Sequence, residues 1–147
     1  MGLGDERTTV LNRAVGLFAV RMVMGILSLM IGVHKVFMTG LEAELVWFKD
    51  LHAWLPDWAL RATNIYCAAI ELVAGLLLCL GLVRDWALYA IASVLVIVTF
   101  GHSLEHEVWD IQQMVFRLSM IVLLLLLPAD WDVVRFRRRR PAPDKSA

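Results

Sequence analysis

The sequence predicts an all-α protein embedded in a membrane as a four-helix bundle, and three observations support this fold class. Of the 147 residues, 60% are hydrophobic, and the mean hydropathy of +0.69 places the chain in the membrane class. Four apolar runs approach the length of about 20 residues that crosses a hydrocarbon core as a helix. The formal net charge is zero, yet basic and acidic residues fall in different loops, as they do on the two sides of a membrane protein.

Each apolar run supplies one predicted spanning helix. The predicted spans are about 16–38, 60–82, 86–105 and 109–127. Pro128 ends the last span, because proline cannot continue the hydrogen-bond ladder of a helix. The 83–85 link is so short that the second and third spans must be antiparallel neighbours. We expect a single bundle over 1–135 with an uncleaved first span, followed by a basic tail over 136–147 that is disordered at its end.

Basic residues predict the orientation of the bundle. Arginines precede the first span and also lie in the 83–85 link and in the RFRRRR run at 135–140. All three places fall on one side of a four-span chain, so both termini are predicted to be cytoplasmic. We interpret the RFRRRR run as a topology signal in contact with anionic lipid rather than as a nucleic-acid patch, because a span adjoins it.

The Trp-rich segment LVWFKDLHAWLPDWAL, at 45–60, is not long or apolar enough to span the membrane. Its tryptophans suit an interfacial segment, because indole rings favour the depth of the lipid headgroups. We expect a short helix there, broken at Pro56, that lies over the outer mouth of the bundle.

Two ionisable residues lie deep in the predicted spans. At a rise of 1.5 Å per residue, Glu71 lies about 16 Å and Arg117 about 12 Å below the outer boundary, so an ion pair between them is geometrically possible. Charges at such depth are costly and usually face the bundle interior with a partner. Glu71 is therefore expected to be either paired or protonated. It would act as a proton relay or ligand-binding carboxylate, or else form a structural ion pair.

All four histidines lie in the outer half of the predicted bundle. His34, beside Lys35, lies near the outer end of the first span, and His102 and His106 lie at the outer end of the third. The latter two share one helix face, which suits either a divalent metal site or polar capping at the interface. A haem b between His34 and His102 would need facing histidines at matched depth, and the sequence leaves this arrangement open.

Several further residues in the spans are expected to have structural roles. Arg21, in the inner part of the first span, is expected to snorkel to the cytoplasmic interface. Cys67 and Cys79 lie too far apart along one helix for a disulfide, so we expect buried apolar side chains. Small residues let membrane helices approach closely, and packing is the role expected for Gly25, Gly32, Gly75 and Gly81.

Three motifs follow one another in a characteristic order. The pattern R-x3-G-x6-G-x2-K runs from Arg21 to Lys35, and IELVAGLLLCLGLVRDWAL follows at 70–88. A last span with an early arginine then ends at LLPADWD. This order, over about 20–128, resembles that of the DoxX family of small four-helix bacterial membrane proteins.

The DoxX resemblance implies a multi-pass protein of the bacterial inner membrane that is associated with redox chemistry. Members of that family include the membrane subunit of thiosulfate:quinone oxidoreductase and a partner in a thiol and superoxide defence complex. By this likeness Lys35, Glu71 and Arg117 hold the positions of interest.

The first functional prediction is a subunit linked to quinone chemistry at the outer side of the membrane. Lys35 or Arg117 would donate hydrogen bonds to the quinone, and His34, His102 or Glu71 would move protons. Electrons would come from other membrane or periplasmic redox subunits, because the sequence shows no evident flavin, iron–sulfur or nucleotide motif. Any enzymatic activity would therefore depend on partner proteins.

Two other functions remain open at this point. The chain would serve equally as a non-catalytic accessory or scaffold subunit of a larger membrane complex. It would serve as a small-molecule transporter only with difficulty, because four spans leave little room for an alternating-access core without a homo-oligomer. The absence of a Ser-His-Asp set, a phosphate loop and a CxxC motif argues against a self-sufficient hydrolase or kinase.

Overall fold

The computed structural model describes residues 3–46, 55–105 and 112–132. Every element in these ranges is a helix, which confirms the predicted all-α class for the described residues. The elements are α1 (Leu3–Val33), a π-helix (His34–Thr39), α2 (Leu41–Leu45), α3 (Asp57–Leu80), α4 (Arg84–Glu105), α5 (Gln112–Leu126) and a 3₁₀-helix (Ala129–Trp131). Three stretches are long and apolar enough to cross a membrane: Arg7–Thr39, Asp57–Leu80 and Arg84–Leu104.

The observed helix bounds differ from the predicted spans chiefly at the first helix. It begins at Leu3 rather than at 16, so the helix includes the polar residues ahead of the apolar run. The fourth is shorter in its described part, Gln112–Leu126, and residues 109–111 of its predicted span lie outside the described residues. The orientation of the bundle in the membrane remains a prediction.

The turn between α3 and α4 is tighter than the sequence suggests, because Arg84 and Asp85 already belong to α4. Gly81 ends α3 in the left-handed region with φ of 68°, where a residue without a Cβ is favoured. Gly81 therefore has a role beyond the packing expected from the sequence, because it terminates α3.

Glycines do bring α1 and α3 into close contact, and this is the most extensive contact between described helices. A Cβ on Gly32 would lie 2.5 Å from the backbone nitrogen of Leu72, and one on Gly25 would lie 2.8 Å from Cys79 Sγ. A Cβ on Gly75 would collide with the backbone of Leu29. The structure therefore confirms the packing role expected for these three glycines.

Where α1 ends, the chain turns back over one end of the bundle. The π-helix leads to Gly40, and α2 then lies against α3. Asn64 donates a hydrogen bond from Nδ2 to the carbonyl oxygen of Leu41 over 2.8 Å, and Arg61 pairs with Glu42. We call this end of the bundle the α2 end.

Only part of the predicted interfacial segment is described, because residues 47–54 lie outside the described ranges. Pro56 adopts an extended conformation immediately before α3, and the short helix predicted ahead of it lies outside the described residues. Trp58, in the first turn of α3, is 72% exposed, as a side chain at a lipid or headgroup boundary would be.

At the opposite end, Arg21 is fully buried, so the snorkelling prediction is wrong. Its Nε lies 2.7 Å from Asp132 Oδ2, and its Nη1 donates to the carbonyl oxygens of Leu78 and Cys79. The chain after Pro128 turns inward through the 3₁₀-helix and places a carboxylate beside the arginine. A buried guanidinium with these partners has no need to reach the interface.

Arg84 plays a similar part at this end. It is 5% exposed and donates through Nη2 to the carbonyl oxygens of Leu124 and Leu127 at the end of α5. These arginines satisfy carbonyls that have no partner within their own helix, which matters where lipid excludes water. We call Arg21, Arg84 and Asp132 the Arg21 group.

Candidate functional site

A cavity of about 570 Å³ lies near the α2 end of the bundle. Its lining residues come from α1, the π-helix, α2, α3, α4 and α5, and most of them are apolar. Representative apolar side chains are Leu60, Ile97, Phe100 and Met114. Its volume falls within the range of about 300–1,000 Å³ typical of small-molecule sites.

The polar side of this cavity is built around Glu71, whose side chain is 1% exposed. Arg117 donates a hydrogen bond from Nη2 to Glu71 Oε1 over 3.1 Å. Lys35 Nζ lies 3.2 Å from Glu71 Oε2 and 3.7 Å from Glu44 Oε1. We call these four residues the Glu71 group.

Helix geometry explains how two members of the group face inward. Glu71 lies on the buried face of α3, four residues after Cys67 and four before Gly75. Arg117 lies on the buried face of α5, three residues before Met120. Residues three or four apart share one helix face, so the apolar pattern that packs each helix also directs its charged residue into the bundle.

Lys35 and Glu44 come from less regular parts of the chain. Lys35 belongs to the π-helix, and π-helical turns often occur at functional sites. Glu44 belongs to α2 and reaches the cavity because the chain reverses at Gly40. This reversal has no signature in the helical periodicity, so the position of Glu44 near Glu71 could not be predicted from the residue pattern.

The charges of the Glu71 group balance, because two cationic and two carboxylate side chains face one another. Of the two alternatives for Glu71, the structure shows the paired one, including the pair with Arg117 that their matched depths allow. Arg117 is 7% exposed, and its Nε is buried without a hydrogen-bond partner. Glu44 Oε2, on the same side of the cavity, is also buried without a hydrogen-bond partner, so this side holds more buried hydrogen-bonding atoms than partners for them.

Glu44 lies outside the stretches that are able to span the membrane, and burial raises the pKa of its carboxyl above the ordinary value of 4.5. The positive charge of Lys35 opposes this rise, and the negative charge of Glu71 adds to it. Glu44 therefore holds a proton more tightly than a carboxyl in open water.

The predicted site residues fall into three sets. Lys35, Glu71, Arg117 and His102 line the cavity. His34 does not line it. Its ring is exposed, and its Nδ1 lies 2.9 Å from Thr39 Oγ1. The structure therefore does not bring His34 to the cavity that His102 lines.

The predicted metal site is only half described. His102 lines the cavity, whereas His106 lies outside the described residues. Within the described ranges, no three or more His, Cys, Asp and Glu side chains are grouped so as to hold a metal ion.

Comparison with known proteins identifies the family to which this chain belongs. A model of the DoxX family matches residues 16–103, which is more than half of the chain. The chain belongs to the DoxX family. Neither a curated protein nor a solved structure matches it.

The DoxX match covers α4 to within two residues of its end, all of α3 and most of α1. Lys35, Glu44 and Glu71 lie inside the matched range, whereas Arg117 lies beyond it. Family membership together with the apolar helices makes this DoxX protein a membrane protein. The large apolar side chains exposed along its helices, such as Val96 and Leu76, are its contacts with lipid.

Proposed function

We propose that this DoxX protein is a quinone-binding subunit that works with redox partners at the outer side of the bacterial inner membrane. One observation carries the proposal: an apolar cavity of about 570 Å³ is lined on its polar side by Arg117 and Lys35, two cationic hydrogen-bond donors that pair with the buried Glu71. A quinone head group is apolar in its ring and presents carbonyl oxygens that accept hydrogen bonds.

The chemistry of the cavity fits such a ligand in two further respects. The Glu71 group carries no net charge when all four side chains are ionised, so a neutral ligand leaves the electrostatic balance intact. The remaining walls are apolar and suit the ring and the first part of a lipid-soluble tail. The cavity would therefore offer an uncharged amphiphile from the bilayer both an apolar lining and hydrogen-bond donors.

Each polar residue has a distinct part in this arrangement. Arg117 and Lys35 would donate hydrogen bonds to a carbonyl oxygen, and Glu71 would accept one from the hydroxyl of the reduced form. His102 lines the same cavity and would contact the ring or its substituents. A bound quinone supplies a couple that takes up two electrons and two protons, and the electrons would come from a membrane or periplasmic partner.

Binding of a short-chain benzoquinone to the purified protein tests the proposal. The protein is extracted in mild detergent, co-extracted quinone is measured by chromatography, and the dissociation constant is then determined by titration. Arg117→Met and Lys35→Met each remove a charged donor, so each is expected to weaken binding by about 10- to 100-fold. Arg61→Met is the matched control, because Arg61 is a 53% exposed side chain outside the cavity.

Other results would favour the alternative functions. If no quinone binds and the protein instead co-purifies at fixed stoichiometry with a large enzyme, it is an accessory or scaffold subunit. If proteoliposomes accumulate a solute and the protein forms a homo-oligomer, it is a transporter. Absorption spectra and metal analysis of the same sample test a haem b and a metal at His102 and His106.

The proposed location has its own test. A fluorescent protein fused after Ala147 fluoresces in bacteria only when the C-terminus is cytoplasmic, whereas an alkaline phosphatase fusion is active only when it is periplasmic. We expect fluorescence without phosphatase activity. The opposite result would place the α2 end and its cavity on the cytoplasmic side.

A further inference from the structure

Lys35 lies between two carboxylates at different depths in the protein. Its Nζ is 3.2 Å from the Oε2 atom of Glu71, which is 1% exposed. The same Nζ is 3.7 Å from Glu44 Oε1, whose side chain is 19% exposed. The three side chains thus form a continuous polar connection from the buried carboxylate toward the surface of α2.

Glu44 is held at the outer part of this connection by the anchoring of α2. Asn64, on α3, donates a hydrogen bond to the carbonyl oxygen of Leu41 in α2, whereas the exposed pair of Arg61 and Glu42 contributes little to this anchoring. The Oε2 atom of Glu44 is buried without a hydrogen-bond partner. Because this oxygen accepts no hydrogen bond, Glu44 retains the capacity to carry a proton beside the cavity.

We propose that Glu44 supplies protons to the buried Glu71 through Lys35, so that α2 carries the proton path of the cavity. This inference deepens the proposed function and rests on it for its purpose, because reduction of a quinone consumes two protons. Proton transfer from Glu44 to Glu71 does not itself require a bound ligand.

The transfer conserves charge and protons at every step. The Lys35 ammonium gives a proton to the Glu71 carboxylate, and the resulting amine takes the proton of a protonated Glu44 carboxyl. Glu44 then takes a proton from water. The net change is the movement of one proton from water to Glu71, after which Lys35 and Glu44 have regained their starting states.

The electrostatic surroundings of Glu44 suit this role. Of the described elements, α3 and the π-helix make the most extensive contacts with α2. The π-helix contributes Lys35 and His34, whose charges lower the pKa of Glu44, and α3 contributes Glu71, which raises it. Arg61 of α3 is paired with Glu42. Burial is the largest influence and raises the pKa, which brings proton uptake by Glu44 closer to neutral pH.

Infrared spectroscopy after a pH jump tests the inference on the full chain without quinone. A protonated carboxyl has a C=O stretching band, and the band that disappears in Glu71→Gln is that of Glu71. In the wild type, this band is expected to appear rapidly after acidification. In Glu44→Gln its appearance is expected to slow by about 100-fold, the lower range of what a positioned acid–base group contributes.

Two variants separate proton transfer from a structural effect of α2. Glu42→Gln removes the neighbouring carboxylate on the same helix and is expected to keep the wild-type rate, because Glu42 pairs with Arg61 away from the cavity. Glu44→Asp keeps a carboxyl and is expected to restore part of the rate. Circular dichroism confirms that each variant retains its helices.

Two outcomes would overturn the inference. One is an unchanged rate in Glu44→Gln, and the other is the absence of any Glu71 carboxyl band across the pH range in which the helices persist. Failure of quinone binding in the separate titration would remove the proposed function but leave this infrared result interpretable. The two proposals therefore fail by different measurements.

Discussion

The two ends of the bundle bury similar residues in different ways. In the Arg21 group, arginines face helix-terminal carbonyls and Asp132. In the Glu71 group, Arg117 and Lys35 face one carboxylate and line a cavity. Both groups place arginines inside the bundle beside carboxylates.

The difference lies in where the hydrogen-bond donors point. Arg21 and Arg84 complete the backbone hydrogen bonding at the C-terminal ends of α3 and α5, a requirement of every helix end in lipid. Arg117 instead pairs with the side-chain carboxylate of Glu71 and lines the cavity. A buried charge that completes the backbone serves the fold, and one that lines an apolar cavity is a candidate for ligand binding.

The largest expected effect comes from breaking the Arg21 group. Arg21→Met leaves the Asp132 carboxylate, which is 5% exposed, without its counter-charge. Removing one partner of a buried ion pair lowers the free energy of unfolding by about 3–5 kcal/mol. Denaturant unfolding in detergent, followed by circular dichroism, measures the loss.

Two further variants control this experiment. Arg61→Met removes an exposed arginine that pairs with Glu42 and is expected to cost less than about 1 kcal/mol. Replacing both members together, in Arg21→Met with Asp132→Leu, should recover much of the loss. Equal losses in Arg21→Met and Arg61→Met would contradict the structural role of the Arg21 group.

The next effect sharpens the contrast through ligand binding. A short-chain quinone at 100 times its dissociation constant should raise the free energy of unfolding by about 2.7 kcal/mol. The increase should persist in Arg84→Met, because Arg84 contacts the end of α5 and does not line the cavity. It should be lost in Arg117→Met at the same quinone concentration. Loss of the increase in both variants would mean that the two ends are not independent.

Substitutions at two glycines of α1 test whether the two ends of the bundle are independent, because each substitution displaces the backbone of α3 at one end. Gly32→Ala places a methyl group 2.5 Å from the nitrogen of Leu72, so α3 must shift beside Glu71, at an expected cost of about 1–3 kcal/mol. Gly25→Ala shifts α3 at Cys79, near the Arg21 group. Only the first is expected to weaken quinone binding.

Gly16→Ala is the control for both substitutions, because a Cβ at Gly16 has no neighbouring atom within 4 Å. Its stability should equal or exceed that of the wild type, since alanine favours the helix over glycine. If Gly25→Ala weakened quinone binding as much as Gly32→Ala, the α1–α3 contact would act as one rigid unit.

The smallest expected effect is a pH dependence of stability due to Glu44. Because burial raises the pKa of this carboxyl above 4.5, the folded state binds its proton more tightly than the unfolded state. The stabilisation from this group is fully present below pH 4.5 and is lost as the pH rises through the folded-state pKa. Glu44→Gln should flatten this part of the unfolding profile, and Glu42→Gln should leave it as in the wild type.

Part of the candidate site was predictable from the sequence. Counting the rise along each span placed Glu71 and Arg117 at similar depth, and the structure pairs them. Lys35 lies near the end of a long apolar run, so its position at the mouth follows from length alone. Such predictions succeed because a regular helix fixes depth and facing direction from residue number.

The prediction about Arg21 failed because it depended on a chain reversal, the inward turn after Pro128. The helix-ending role of Gly81 was missed for a similar reason, because it belongs to the turn that follows α3. Glu44 was not singled out because α2 reaches the cavity only through the reversal at Gly40. His34 was expected among the site residues, but the π-helix leaves its ring exposed beside Thr39.

The sequence by itself determined that this chain forms apolar helices of spanning length, because a helix satisfies the backbone hydrogen bonds of an apolar segment within lipid. It also determined which ionisable residues lie deep, because depth follows from the rise along a helix. Only the tertiary structure decided that Arg21 meets Asp132 while Arg117 and Lys35 share Glu71. Those pairings depend on the rotation of each helix and on the course of short reversals, which are set by contacts distant in sequence.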